Sequence, residues 1–102
     1  MRAIDPGHEY ELEGFEGTPQ TLKFIKKEPV PESETDELQT VHDGTTNEEV
    51  IKVLLDRLLY LFNKFPSTET HHAITNLASA LYHLEQRTRD RKARGVEGKH
   101  KE

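Results

Sequence analysis

The side chains best suited to binding chemistry form a basic cluster near the end of this 102-residue chain. On a helix, positions 87, 91 and 94 share one face because they are spaced i, i+4 and i+7. A guanidinium donates paired hydrogen bonds to phosphate oxygens, so this face suits an anionic ligand. The alternative is a solvated last turn whose charge complements the helix dipole. The cluster consists of Arg87, Arg89, Arg91, Lys92 and Arg94.

A second candidate group surrounds Pro66 and combines aromatic rings with small polar side chains. An aromatic ring can stack on a base, and a helix that starts at residues 67–70 offers hydroxyls and spare amides to an anion. Alternatively, the rings belong to the core or to an interface. The side chains before the proline are Tyr60, Phe62, Asn63 and Phe65.

Signals of catalysis are weak, and we expect neither an enzyme nor a cofactor or metal site. The chain has no cysteine, no glycine-rich phosphate loop and no nucleophile-elbow sequence. His71 and His72 are adjacent, so on a helix they point in different directions, and His83 lies 11 residues beyond His72. Asp56 and Glu85 are single carboxylates that suit ordinary surface pairing.

Composition and charge limit the classes of partner. Residues 1–49 carry 13 acidic and 4 basic residues, whereas residues 87–102 carry 7 basic and 3 acidic ones. This acidic front half argues against binding to polymeric DNA or RNA, which needs a basic face. No apolar run is long enough to span a membrane, and the absence of cysteine fits a reducing compartment. We therefore expect a cytoplasmic protein with a single domain over residues 1–102.

The elements that must position both groups are two helices within residues 46–94. Thr46 and Glu49 offer a capping box for the first helix, and Pro66 should end it. Ser67 or Thr68 can cap the second helix, and Gly95 should stop it. An antiparallel β-hairpin is expected over residues 1–28, in which a strand at residues 8–13 pairs with a strand at residues 21–27. A mobile acidic linker is expected over residues 29–45 and a frayed polar tail over residues 95–102. The fold class is therefore α+β.

The first helix is apolar around more than half of its circumference, which predicts self-association. Its main stripe is supplemented by off-stripe residues, namely Val50, Val53, Leu59 and Leu61. One partner helix and a small hairpin cannot cover so wide a surface, and a helix that is apolar nearly all round is normally buried. We expect a symmetric homo-oligomer, either a dimer or a hexamer built from dimers.

Three ordered motifs of the helical hairpin resemble a known family. They are LxxRLxYLxNxxP over residues 54–66, AIxxLxxAL over 73–81 and LExRTxxRxxRGVEG over 84–98. Together they are similar to the C-terminal hairpin of phage anti-defence proteins that sequester cyclic-nucleotide signals, the Thoeris anti-defence and anti-CBASS sponges. The N-terminal segments MRAIDPGHEYEL and LKFIKKEP resemble the strand-bearing front of the Thoeris type.

This resemblance implies binding, without turnover, of a cyclic ADP-ribose isomer or a related cyclic di- or trinucleotide in the bacterial host cytoplasm. Tyr60 matches an aromatic residue that stacks on the ligand, and Arg87 matches an arginine that contacts phosphate or ribose. Thr70 stands where the family commonly has asparagine, within PSTET where PCxEN is usual. The threonine keeps a hydroxyl but lacks the amide's paired donor and acceptor, which bears on affinity or on the choice of isomer.

The two groups of predicted site residues, those at the bend and the arginines, lie far apart within one chain. Arg87 lies 17 residues beyond Thr70, or roughly 25 Å along a helix. We therefore expect a pocket between antiparallel protomers, one supplying the bend and the other the arginines. The predicted ligand-binding residues are Tyr60, Asn63, Thr70, Arg87 and Arg91, with Arg2, Lys23 and Lys26 closing from the strands. The rival is an adaptor that binds a helix or acidic peptide of a protein partner, and a hydrolase ranks third.

Overall fold

The computed structural model describes residues 1–31 and 37–95. It confirms the α+β class, since antiparallel strands precede two helices. The backbone forms two compact units: the strand unit Met1–Thr46 and a helical unit that begins at Asn47. Most of the predicted tail over residues 95–102, and the centre of the predicted linker over residues 29–45, lie outside the described residues.

The first sheet of the strand unit has three antiparallel strands in the order β1-β2-β3. They are β1 (Arg2–Asp5), β2 (Glu9–Leu12) and β3 (Gln20–Lys23). The predicted pairing of β2 with β3 is confirmed, and it places Glu9 opposite Lys23. The prediction of only two strands over residues 1–28 is wrong, because Arg2–Asp5 also pairs with β2. That segment is too short to show an alternating pattern.

A second sheet pairs β4 (Lys26–Pro29) with β5 (Leu38–His42) in antiparallel register. The linker prediction over residues 29–45 is therefore corrected at β5. Acidic composition and prolines favour an unpaired segment, but backbone hydrogen bonds to β4 hold these residues in an extended strand. The strand prediction over residues 21–27 is likewise corrected, because it divides between β3 and β4.

Backbone contacts near Gly44 join the end of β5 to the segment between β3 and β4. The Ile25 N–H donates to the Thr45 carbonyl at 2.9 Å, and the Thr45 N–H donates to the Lys23 carbonyl at 2.8 Å. A Cβ atom on Gly44 would lie 2.5 Å from the backbone carbon of Phe24. Only a glycine therefore allows the two backbones to approach this closely.

The helical unit consists of α1 (Asn47–Lys64) and α2 (Thr68–Ala93), which pack against each other. Both predicted helices are confirmed to within a residue or so at each end. Pro66 separates them, as expected from its fixed φ and missing amide proton. Ser67 is confirmed as the N-cap of α2, and Gly95 follows its last turn at a φ of +72°.

No residue within the described ranges is fully buried. Along α1, the residues on one face are half-buried, namely Ile51, Leu55, Leu58 and Phe62. Val53 is nevertheless 63% exposed and Phe65 is 75% exposed. This uncovered apolar surface is the physical reason for expecting self-association, which itself stays a prediction. Neither described helix is both long enough and apolar enough to cross a membrane.

Candidate functional site

The bend of the helical hairpin is organised by Ser67, which caps α2. The Thr70 N–H donates to Ser67 Oγ at 3.1 Å, and the Ser67 hydroxyl donates to Thr70 Oγ1 at 2.8 Å. Thr70 Oγ1 accepts this bond, so its own proton is still available to a ligand. The extended backbone of Ser67, with φ −149° and ψ 152°, is the conformation usual for an N-cap.

Tyr60 and Asn63 lie on the last turns of α1 with exposed side chains. The Tyr60 ring is 56% exposed, and the Lys64 ammonium lies 4.6 Å from its centroid. This cation covers one face of the ring by a cation–π contact. The opposite face remains suitable for stacking on a heterocycle.

A depression of about 340 Å³ opens at the bend. Its lining residues are Phe62, Pro66, Ser67, Thr68 and His71. The Phe62 and His71 rings lie 6.2 Å apart between centroids, inclined at 42°. The sequence favours a core or interface role for Phe62 and indicates no binding role for His71. The proline turn followed by hydroxyls signalled this region, but no spacing rule identified that ring pair.

The basic end of α2 forms a second, more polar depression of about 280 Å³ between the helices. It is lined by Glu48, Lys52, Glu85, Thr88, Arg89 and Lys92. Arg87 is exposed and Arg91 is half-buried in this part of α2. Arg94 pairs with Asp90 at 3.1 Å, one turn earlier on the same helix. Ligand pockets span about 300–1,000 Å³, so the depression at the bend lies at the lower end of this range and the polar depression lies just below it.

The two halves of the predicted site do not meet within one chain. Thr70 and Arg87 belong to a single unbroken helix, Thr68–Ala93, and are 17 residues apart. At 1.5 Å per residue their separation is roughly 25 Å. Tyr60 and Asn63 lie on the turns of α1 that precede the bend, so they fall on the same side of this gap as Thr70.

The three predicted strand cations lie in the strand unit, where each has an acidic neighbour. Arg2 bonds to Glu11 at 3.1 Å, and Lys23 lies opposite Glu9 in the sheet register. The Lys26 ammonium donates to Asp5 Oδ2 at 3.0 Å. This hydrogen bond is the main reason that the pKa of Asp5 falls below its usual value.

Two histidine side chains, His8 and His42, lie near the ion pair of Lys26 and Asp5. His42 Nε2 lies 3.9 Å from Asp5 Oδ2, and the rings of His8 and His42 are 6.4 Å apart in an edge-on arrangement. Within residues 1–31 and 37–95, no three or more histidine, cysteine or acidic residues are grouped so that they could hold a metal ion. The Asp5 oxygen that His42 approaches is the same one that accepts the hydrogen bond from Lys26.

Comparison with known proteins gives one informative match, while no family model matches the chain. The chain is 44% identical over 59 residues to a protein named Thoeris anti-defense 1 from Bacillus phage SBSphiJ7. The match covers 57% of this chain and 42% of the relative, so the chain spans less than half of the relative's length. The resemblance to the Thoeris anti-defence family, which rested on the motifs of the helical hairpin, is confirmed by this comparison.

Proposed function

We propose that this protein is a phage anti-defence protein that sequesters a cyclic nucleotide immune signal without cleaving it. The ligand is a cyclic ADP-ribose isomer or a related cyclic di- or trinucleotide, and its pocket lies between subunits. The observation that carries the proposal is the division of the candidate site between the two ends of α2. The name of the phage relative supports the anti-defence role.

Each half of the site contributes a different type of contact. From one protomer, Tyr60 stacks on adenine by its free face, while Thr70 and Asn63 donate and accept hydrogen bonds. From the neighbouring protomer, Arg87 and Arg91 hold the phosphates. Stacking is worth about 1–3 kcal/mol per base, and hydrogen bonds to charged groups contribute about 1.5–3 kcal/mol each. A few such contacts are enough for tight binding.

A protein that sequesters a signal must bind it tightly and release it slowly. The dissociation constant must lie below the signal concentration, and dissociation must be slow, because affinity is set mostly by the off-rate. A pocket that closes between two subunits meets this demand, since opening it requires the loss of contacts to both. The released ligand should be chemically unchanged.

Calorimetry tests the proposal with cyclic ADP-ribose isomers and cyclic di- and trinucleotides as ligands. Heat of binding should appear for at least one of them, and heating the complex should return that compound intact. Absence of heat with every ligand would overturn the proposal. Recovery of a degraded ligand would favour a hydrolase instead.

Substitution of Arg87 tests the charged half of the pocket. Arg87→Ala should weaken binding by about 2–5 kcal/mol, because it removes a charged contact that the complex buries. Arg89→Ala is the matched control on the same helix, and it should leave the affinity within about tenfold. Equal affinity of Arg87→Ala and the parent protein would exclude Arg87 from the site.

A second candidate function, that of an adaptor, is favoured by the exposed aromatic surface of the helices. Phe65 is 75% exposed and Tyr82 is 58% exposed. Such side chains are enriched where proteins bind other proteins. Incubation with an extract that contains the activated immune signal, followed by heating, separates the two functions. A sequestering protein releases intact nucleotide, whereas an adaptor releases none.

A further inference from the structure

The polar depression at the basic end of α2 lies entirely within the helical unit and has a volume of about 280 Å³. Two residues of α1 and four of α2 line it, namely Glu48, Lys52, Glu85, Thr88, Arg89 and Lys92. Three of these side chains are cations, two are carboxylates and one is a hydroxyl. A few polar groups that converge on one concavity are what fixes the orientation of a small ligand.

The charges around the polar depression do not neutralise one another. None of the six lining side chains forms an ion pair or a hydrogen bond with another of the described residues. Glu48 precedes Lys52 by four residues and Glu85 precedes Arg89 by four, which is the favourable order for an ion pair on a helix. The last turns of α2 do form one ion pair of this spacing, at 3.1 Å. The charges around the depression therefore remain available to a ligand.

The threonine of this group also lacks a hydrogen-bond partner. Elsewhere on α2, the Thr75 hydroxyl donates to the His71 carbonyl at 3.1 Å, a bond that threonine often makes within a helix. Thr88 makes no such bond to any described residue, although it is half-buried, as are Glu48 and Glu85. Half-buried polar groups without partners carry a cost in the free protein. A ligand that bonds to these groups removes that cost.

The lining is ordered along α2 from acid to base. Glu85, Thr88 and Lys92 share one face at spacings of three and four residues, and they span roughly 10 Å at 1.5 Å per residue. Arg89 follows Thr88 directly and adds a second cation on this side. Carboxylates accept hydrogen bonds from sugar hydroxyls, whereas guanidinium and ammonium groups bind phosphate oxygens. The complementary ligand therefore carries hydroxyls at one end and a phosphate at the other.

We propose that the polar depression binds a small phosphorylated sugar of the size of a pentose phosphate, in a site formed within one protomer. Glu48 and Glu85 accept hydrogen bonds from the sugar hydroxyls. Arg89 and Lys92 hold the phosphate, and the Thr88 hydroxyl donates to it. The volume of about 280 Å³ suits one such compound, since larger ligands occupy pockets of about 300–1,000 Å³.

This site is separate from the arginines of the proposed nucleotide pocket. Arg87 and Arg89 are two residues apart on α2, so they point roughly 160° away from each other at 100° per residue. The proposed nucleotide pocket also needs two protomers, whereas every residue that lines the polar depression comes from one. The inference therefore goes beyond the proposed function and does not depend on it.

Titration with ribose 5-phosphate, followed by two-dimensional NMR of the backbone amides, tests the site directly. The amide signals of Glu85, Thr88 and Arg89 should shift and saturate at millimolar ligand, because so small a compound makes few contacts. Ribose alone and inorganic phosphate alone should each bind roughly tenfold more weakly or worse, since each satisfies only one end of the site. Absence of these shifts, or equal affinity for inorganic phosphate and ribose 5-phosphate, would overturn the proposal.

Two substitutions remove single groups from the site. Glu85→Gln and Thr88→Val should each weaken the binding of ribose 5-phosphate roughly tenfold or more, because each removes a hydrogen bond in which one partner is charged. Matched controls on the same helix are Glu69→Gln and Thr75→Val, which should leave the affinity unchanged. Neither control residue lines the depression. Parent affinity in both site variants would exclude the two residues and with them the proposed site.

Thermal unfolding of the free protein distinguishes a binding role from a structural one. The side chains of Glu85 and Thr88 have no partner among the described residues, so their substitution should leave Tm unchanged or slightly raised. A lower Tm together with weaker binding would mean that these groups hold the two helices together. That result would contradict their assignment to a ligand site.

Arg87→Ala separates this site from the proposed nucleotide pocket. It should weaken the binding of the cyclic nucleotide and leave the affinity for ribose 5-phosphate unchanged, whereas Thr88→Val should do the reverse. If ribose 5-phosphate binds as expected but no cyclic nucleotide does, this site stands and the proposed function fails. If Arg87→Ala abolishes the binding of ribose 5-phosphate, the sugar phosphate occupies the Arg87 side of α2 and this inference fails.

Discussion

The Ser67 cap offers the sharpest test of how the bend is built. Its Oγ accepts the Thr70 N–H at 3.1 Å and donates to the Thr70 hydroxyl at 2.8 Å. Ser67→Ala removes both bonds at once. It leaves an amide of the first turn of α2 without its partner and releases the Thr70 side chain from its orientation.

The expected loss follows from these two contacts. Removal of an N-cap side chain costs about 1 kcal/mol, within a range of about 0.5–2 kcal/mol, and a second neutral hydrogen bond adds about 0.5–1.5 kcal/mol. We expect Ser67→Ala to lower the free energy of unfolding by about 1.5–2.5 kcal/mol. For a domain of this size, each kcal/mol lowers Tm by about 4–8 °C. The measurement is thermal unfolding at one fixed protein concentration, because association would otherwise shift Tm.

Two comparisons isolate the cap from other effects of the substitution. Ser79→Ala changes the same residue type at an exposed position in the middle of α2, and it should be neutral or slightly stabilising. Ser67→Asp should restore the cap, since its carboxylate can accept the Thr70 amide and complements the helix dipole. Ser67→Ala that unfolds at the same temperature as Ser79→Ala would refute this account of the bend.

Two further predictions concern the strand unit. The hydrogen bond from Lys26 lowers the pKa of Asp5, so the carboxylate stabilises the fold above its usual pKa of 3.8. This contribution is lost as the pH falls through the lowered value, and Asp5→Asn should remove that part of the pH dependence in acid unfolding. Gly44→Ala should destabilise the protein by about 1–3 kcal/mol in chemical denaturation, because its Cβ would meet the Phe24 backbone at 2.5 Å. Unchanged unfolding of either variant would contradict the corresponding contact.

The helices were predictable because their ends carry strong local signals. Ser67, Pro66 and Gly95 act on their immediate neighbours, and the structure places each in its expected role. The strands were less predictable because their partners are remote in sequence. The β5 strand pairs with β4 across the predicted linker, and its own sequence, LQTVH, alternates too weakly to show a buried face.

The candidate site was also predictable only in part. The separation of its two halves was predictable, because Thr70 and Arg87 lie on one helix and the distance between them follows from residue count alone. The ring pair of Phe62 and His71 was not, since it depends on how α1 approaches α2. The engagement of Lys26 with Asp5, 21 residues away in sequence, depends on the pairing of strands that the sequence left undecided.

The divided site leads to one thermodynamic consequence. If the nucleotide binds only between two copies, it binds the dimer and not the monomer, so ligand binding and association must strengthen each other by the same factor. Added nucleotide should therefore lower the apparent dimer dissociation constant of the parent protein, as measured by sedimentation. A ligand that binds tightly but leaves the monomer–dimer equilibrium unmoved must occupy a pocket within one chain. Because Thr70 and Arg87 lie roughly 25 Å apart on one helix, they cannot both line such a pocket. That result would therefore exclude one of the two residues from the binding site.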